Sequence, residues 1–75
     1  MPRLPVLSGA ELIRLLQKVG FGIQSQEGSH VKLAKGSVRT VVPLHRELRK
    51  GTLLAILRQT GISREELEEL IKGNA

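Results

Sequence analysis

Two side chains in this sequence can exchange a proton near neutral pH, His30 and His45. Cations surround both. Lys32, Lys35 and Arg39 follow His30, while Arg46, Arg49 and Lys50 follow His45. An imidazole among cations suits phosphodiester cleavage. When an RNA 2′-OH attacks its own phosphate, a base must take the hydroxyl proton and an acid must protonate the 5′-oxygen. Cations must steady the charge that develops on the phosphate. One His fills one of the proton roles. Lys32, Lys35 or Arg39 can serve the phosphate.

Other chemistries lack their parts. Cys is absent, which removes disulfides, thiolate nucleophiles and zinc fingers or ribbons. Asp is absent too, and Glu27 and Glu47 are the only acids in the middle of the chain. A two-metal nuclease needs converging carboxylates, so that class is disfavoured. Two His without carboxylates or thiols do not support a metal site. Phe21 is the single aromatic residue, too few for the stacking platforms of RRM or OB-type readers of single strands. Gly28 and Gly36 are turn glycines and do not resemble a nucleotide-binding loop. No metal and no cofactor are expected.

The chain has 75 residues, with 12 Lys and Arg against 7 acids, a formal net charge of +5. An apolar fraction of 40% is enough for a core. The length fits one domain, residues 1–75, whose core is small. Charge is uneven along it. Residues 1–58 carry ten Lys and Arg and three Glu, a balance of +7; residues 59–75 carry two and four, a balance of −2. A basic body with an acidic tail helix points to a polyanionic partner, although any small domain also needs net charge for solubility. No apolar run approaches a membrane span. The amino end, MPRLPVLSG, is too short and too Pro-broken for a secretory segment. A soluble, cytoplasmic protein with no membrane partner is expected.

The elements that must position the two His follow from periodicity. Ser8 and Glu11 form a capping box, with Leu7 and Leu12 as its hydrophobic staple. Leu12, Leu15, Leu16 and Val19 then make one apolar stripe, widened by Ile13, and Gly20 ends the helix. The spacing predicts a first helix over residues 9–19. Phe21, Ile23 and Ser25 alternate with Gly22, Gln24 and Gln26, as in a strand with one buried face. Glu27-Gly28-Ser29 turns the chain. From His30 to Lys35, Val31 and Leu33 lie on one side and His30 and Lys32 on the other. Gly36-Ser37 is a second turn, and the β-branched run from Val38 to Val42 is a third strand ended by Pro43. Leu53, Leu54 and Leu57, with Ile56 beside them, predict a helix from Gly51 to Thr60. Ser63 and Glu66 repeat the capping box for a last short helix to about Lys72. The fold class is α+β, a three-stranded antiparallel meander with its helices on one face. This α-β-β-β-α order is that of the double-stranded-RNA-binding domain, which reads RNA by shape, phosphate and 2′-OH.

Gly28-Ser29-His30 before an alternating strand resembles the HicA family of small toxins, also called YcfA-like. Further segments agree in order: Lys18-Val19-Gly20-Phe21, Val42-Pro43-Leu44-His45, Leu48-Arg49-Lys50-Gly51-Thr52-Leu53, and Ile56-Leu57-Arg58-Gln59-Thr60-Gly61 running into Ile62-Ser63. The resemblance spans about Ser8 to Leu70. It implies a double-stranded-RNA-binding-like fold and the toxin role of a type II toxin-antitoxin system. It also implies an mRNA interferase, a metal-independent endoribonuclease that cuts messages and is silenced by a HicB-like antitoxin. The family's catalytic His falls on His30.

The residues agree with that role. An outward His beside Lys32 on a basic sheet face is poorly explained by packing. By spacing alone a surface His would still be only a surface His; the resemblance reverses the odds. Ser29 is an auxiliary candidate by its place beside His30. His45 has two open roles: it orders the loop after Pro43, which is favoured, or it is the second proton-transfer group. Arg46, Arg49 and Lys50 precede a helix start, where backbone amides and bases together bind phosphate. The alternative function is a non-catalytic RNA-binding module of the same fold, which shares the basic face and differs at His30. A protein-interaction domain with incidental charge is a third.

Overall fold

The structure is a computed structural model that describes residues 4–73. The outer ends of the expected 1–75 domain, with part of the amino-terminal segment, lie outside these residues. Chain order is α1 (Gly9–Lys18), β1 (Gly22–Glu27), β2 (His30–Lys35), β3 (Val38–Pro43), α2 (Lys50–Thr60) and α3 (Arg64–Lys72).

Both capping boxes close. At α1 the Glu11 amide donates to Ser8 Oγ at 3.1 Å, and the Ser8 amide donates to Glu11 Oε1 at 2.9 Å. At α3 the same bonds link Glu66 and Ser63 at 3.1 and 3.2 Å. The Ser8 backbone amide, then the Ser8 hydroxyl, hold the Glu11 carboxyl below its ordinary value of 4.5, with help from Arg14. Helix α2 has no such device. Arg49 occupies its N-cap without a side-chain hydrogen bond, and no acid lies in its first turn.

The sheet has the order β1-β2-β3, and both pairings are antiparallel. Each hairpin turns on a Gly-Ser pair. Gly28 and Gly36 adopt φ of +58° and +60°, which a side chain at that position would resist. Register then sorts the faces. Val31 pairs with Val42 and Leu33 with Thr40 on the inner face; all four are buried. His30 pairs with Pro43, Lys32 with Val41 and Ala34 with Arg39 on the outer face.

The first strand departs from expectation. All six residues of β1 are exposed, and Ile23 is 51% exposed. A bulge between Ile23 and Ser25 sets Ile23 opposite Leu33 and Ser25 opposite Lys32. These two residues therefore face opposite sides, and the alternation is broken. The helices also leave β1 largely uncovered, because α1 and α2 pack chiefly against β3. The aromatic anchor is Phe21, buried just before the strand.

One apolar cluster joins the layers. It includes Leu12 and Leu16 of α1, Val31 and Leu33 of β2, Val42 of β3, Leu53 and Ile56 of α2, and Leu67 of α3. Leu54, expected on the α2 stripe, is only half-buried. Thr40 is the buried polar residue in this core, and its hydroxyl donates to Gln59 Oε1 at 2.7 Å, linking β3 to α2.

Main-chain bonds knot one end of the sheet. The Gly9 amide donates to the His45 carbonyl at 2.9 Å, Leu48 to Leu7 at 2.8 Å, and Leu44 to Ser29 at 2.6 Å. A Cβ on Gly9 would collide with the Pro43 carbonyl oxygen and stand 3.0 Å from Leu44 Cα. Backbone flanks the site, so no flexible side chain can yield. Gly9→Ala should therefore lower stability by about 1–3 kcal/mol, the range for overpacking. Gly22→Ala is the control, since a Cβ there meets nothing within 4 Å. Urea midpoints for the two variants check this; equal midpoints would show that the junction yields freely.

Candidate functional site

His30 is the first residue of β2, delivered by the Gly28-Ser29 turn. Its side chain is exposed on the outer face, between Glu27 of β1 and Pro43 of β3. The Pro43 side of this pairing costs no hydrogen bond. Leu44 N–H reaches the Ser29 carbonyl, the pattern that flanks a non-hydrogen-bonded pair, so the missing Pro43 N–H is not needed.

Lys32 lies on the same face and is exposed. Its Nζ is 3.1 Å from Glu27 Oε1. Glu27 thus stands opposite His30 in register while its carboxylate holds Lys32. Sequence reading named Lys32 but not this partner. The signal was present, since a two-residue turn at Gly28-Ser29 sets Glu27 opposite His30.

Arg39 shares the outer face but sits further along β3, opposite Ala34. Lys35 does not join them. It falls on the parity of Val31 and Leu33, at the far end of β2 from His30. Its Nζ donates to the Val19 carbonyl at 2.6 Å. The stem covers Gly20, where a Cβ would lie 3.2 Å from Lys35 Cε. Lys35 therefore closes the carbonyl end of α1, where a cation also suits the helix dipole.

Two of the cations meet the start of α2. A groove of about 570 Å³ is lined by Lys32, Arg39, Thr40 and Val41 on the sheet side and by Gly51, Thr52 and Gln59 from α2. Lys50 opens that helix, and Arg49 precedes it as the uncapped N-cap. Arg46, Arg49 and Lys50 are all exposed. The first turn of α2 thus presents amides without a side-chain cap beside a cluster of bases, an arrangement suited to a phosphate oxygen. Thr52 and Gln59 add polar groups that the sequence alone did not single out. They become visible only once α2 is laid beside β3.

His45 lies exposed in the segment between β3 and α2. Its carbonyl, not its ring, accepts from Gly9. Ser29 likewise contributes its carbonyl, to Leu44. Among the described residues no three His or Glu side chains converge as metal ligands, and no helix is long and apolar enough to cross a membrane.

A family model described as the HicA toxin of bacterial toxin-antitoxin matches residues 9–62. No curated protein matches the chain. The matched span begins at the Gly9 junction, takes in the whole sheet and α2, and ends at Ile62, before the acidic last helix. It contains His30 and every cation of the outer face and the α2 start. With well over half of its length covered by that match, the chain belongs to the HicA toxin family.

Proposed function

We propose that this toxin is a metal-independent endoribonuclease, an mRNA interferase, with His30 as a proton-transfer group of the cleavage site. The observation that carries this reading is the exposed His30 at the head of β2, on the same face as Lys32 and Arg39. No core packing accounts for an imidazole there. RNA binds through its phosphates along the cationic face and at the start of α2. The 2′-oxygen then attacks the adjacent phosphorus and the 5′-oxygen leaves. The products are a 2′,3′-cyclic phosphate and a 5′-hydroxyl. Lys32 is released from Glu27 to the phosphate at small cost, since an exposed ion pair contributes at most about 1 kcal/mol.

Catalysis is tested with His30→Ala. The side chain is exposed and outside the apolar cluster, so stability should change by no more than about 1 kcal/mol. RNA affinity should persist because the cations remain. Cleavage of a long RNA in EDTA should fall by roughly 10²–10⁴-fold. Full activity in the folded variant would falsify the assignment. A wild-type protein that binds RNA tightly but never cuts it would instead be a non-catalytic RNA-binding module.

The helix-start phosphate site has its own test. Arg49→Ala with Lys50→Ala should weaken binding about equally across RNA sequences. The slope of log affinity against log salt should also become shallower, by roughly one for each phosphate no longer neutralised. An unchanged slope and affinity would remove this site.

Membership of the family implies a HicB-type antitoxin as partner. We infer that the antitoxin is acidic where it binds and that it covers the face around His30, so that association is fast and salt-sensitive. In hydrogen exchange on the complex, the amides around His30 and Lys32 should gain protection. A complex in which His30 stays open to solvent would show that inhibition works by another route.

A further inference from the structure

We propose that His45 is the second proton-transfer group of the same cleavage site, acting with His30 across one phosphodiester. This rests on the ribonuclease reading above.

Transfer of the 2′-OH proton and protonation of the 5′-oxygen are separate tasks, and one imidazole in one protonation state performs one of them. The chain offers few alternatives, having no Asp, Cys or Tyr. Glu27 stands opposite His30 in register and pairs with Lys32 in the free protein. Lys35 is bound to the end of α1, on the parity away from His30. The other imidazole is a side chain of the type most often used for proton transfer.

The backbone brings it close. His30 is paired with Pro43, and His45 lies two residues beyond Pro43. Non-hydrogen-bonded partners have Cα atoms roughly 4.5 Å apart, and two further residues of chain add at most about 7 Å. The two Cα atoms are therefore within about 12 Å of each other. Two imidazoles extending from such positions can flank a phosphate.

The competing explanation for His45 is that it orders its loop. That task belongs to its carbonyl, which accepts from Gly9. Any residue type would supply the same carbonyl. The residue is exposed, and none of the side-chain hydrogen bonds among the described residues involves its ring, so loop order does not explain why the side chain is imidazole. Meanwhile the bonds at Leu44, His45 and Leu48 hold the backbone beneath that ring. A proton-transfer group benefits from such an anchored root.

In the step, the base removes the 2′-OH proton as the 2′-oxygen bonds to phosphorus. The bond from phosphorus to the 5′-oxygen breaks, and the acid gives its proton to that oxygen. No oxidant, metal or water is consumed.

The test uses a short RNA first mapped to be cut at one bond, and the same RNA with sulfur replacing the 5′-oxygen at that bond. A thiolate leaves without needing a proton. Wild type, His30→Ala and His45→Ala are compared in EDTA, with His45→Gln as a second variant that keeps a polar side chain. Cleavage of ordinary RNA by the His45 variants should fall roughly 10²–10⁴-fold with RNA affinity unchanged. The sulfur substrate should restore one of the two alanine variants, which is then the one lacking the acid, and leave the other slow. His45 variants that cut ordinary RNA within about twofold of wild type would overturn the proposal. So would a sulfur substrate that restores both variants or neither, because acid and base would then not be divided between these residues. If wild type cuts neither substrate, the ribonuclease reading itself fails, an outcome distinct from either of these.

Discussion

Helix α1 can start where it does because Gly9 brings no side chain to the Pro43 carbonyl. Three separate pieces of chain depend on that close approach. The Gly9 amide reaches the His45 carbonyl only at this separation. With that bond made, the segment after β3 lies near Leu7 and Leu48, and the first turn of the sheet is held through Ser29 and Leu44. The turn that carries His30 and the loop that carries His45 are therefore parts of one hydrogen-bonded unit. Because its bonds are main-chain bonds, the side chains of that unit are left free for chemistry. Exposed functional groups on a hydrogen-bonded backbone are what a site must combine, and here the two requirements are met by different atoms of the same residues.

Much of this was legible in the sequence. Local devices read true because their partners lie three residues apart: the Ser8–Glu11 and Ser63–Glu66 boxes and the two Gly-Ser turns. The alternation from His30 to Lys35 also read true, because β2 is the central strand and its inner face meets the core. The same alternation contained the answer for Lys35, whose parity is that of Val31 and Leu33 and not that of His30. Grouping it with Lys32 followed its charge and overlooked its register. In β1 the reading failed for a different reason. A bulge is a property of pairing with β2, and nothing within Gly22 to Glu27 announces it. The role of Gly9 was hidden in the same way. Its neighbours in sequence present it as part of a helix cap, whereas its requirement comes from Pro43, a residue distant in the chain.

The candidate site shows a division of charge that composition alone only outlined. The cations are not spread evenly over the basic body. Lys35 is consumed in closing α1, and Lys32 is held by Glu27. Arg39 and Lys32 share a groove with the first turn of α2, and the bases Arg49 and Lys50 stand at the start of that same helix. Helices α1 and α3 satisfy their amino ends internally with Ser and Glu, whereas α2 keeps its own open beside those bases. The groove was invisible in sequence because it forms between the sheet and α2, and the Thr40–Gln59 bond joins β3 to that helix.

The uncovered first strand has a further consequence. An edge strand with both faces in water offers a ladder of unpaired amides and carbonyls to any other extended chain, its own copies included. With Ile23 half out of the core, β1 would be an adhesive border in a flat sheet. The irregularity between Ile23 and Ser25 spoils that border. It twists the strand and breaks the even spacing that a second strand must match. What looks like a defect in the meander is thus a guard against sheet-by-sheet aggregation, placed on an edge of the sheet that its helices do not shelter.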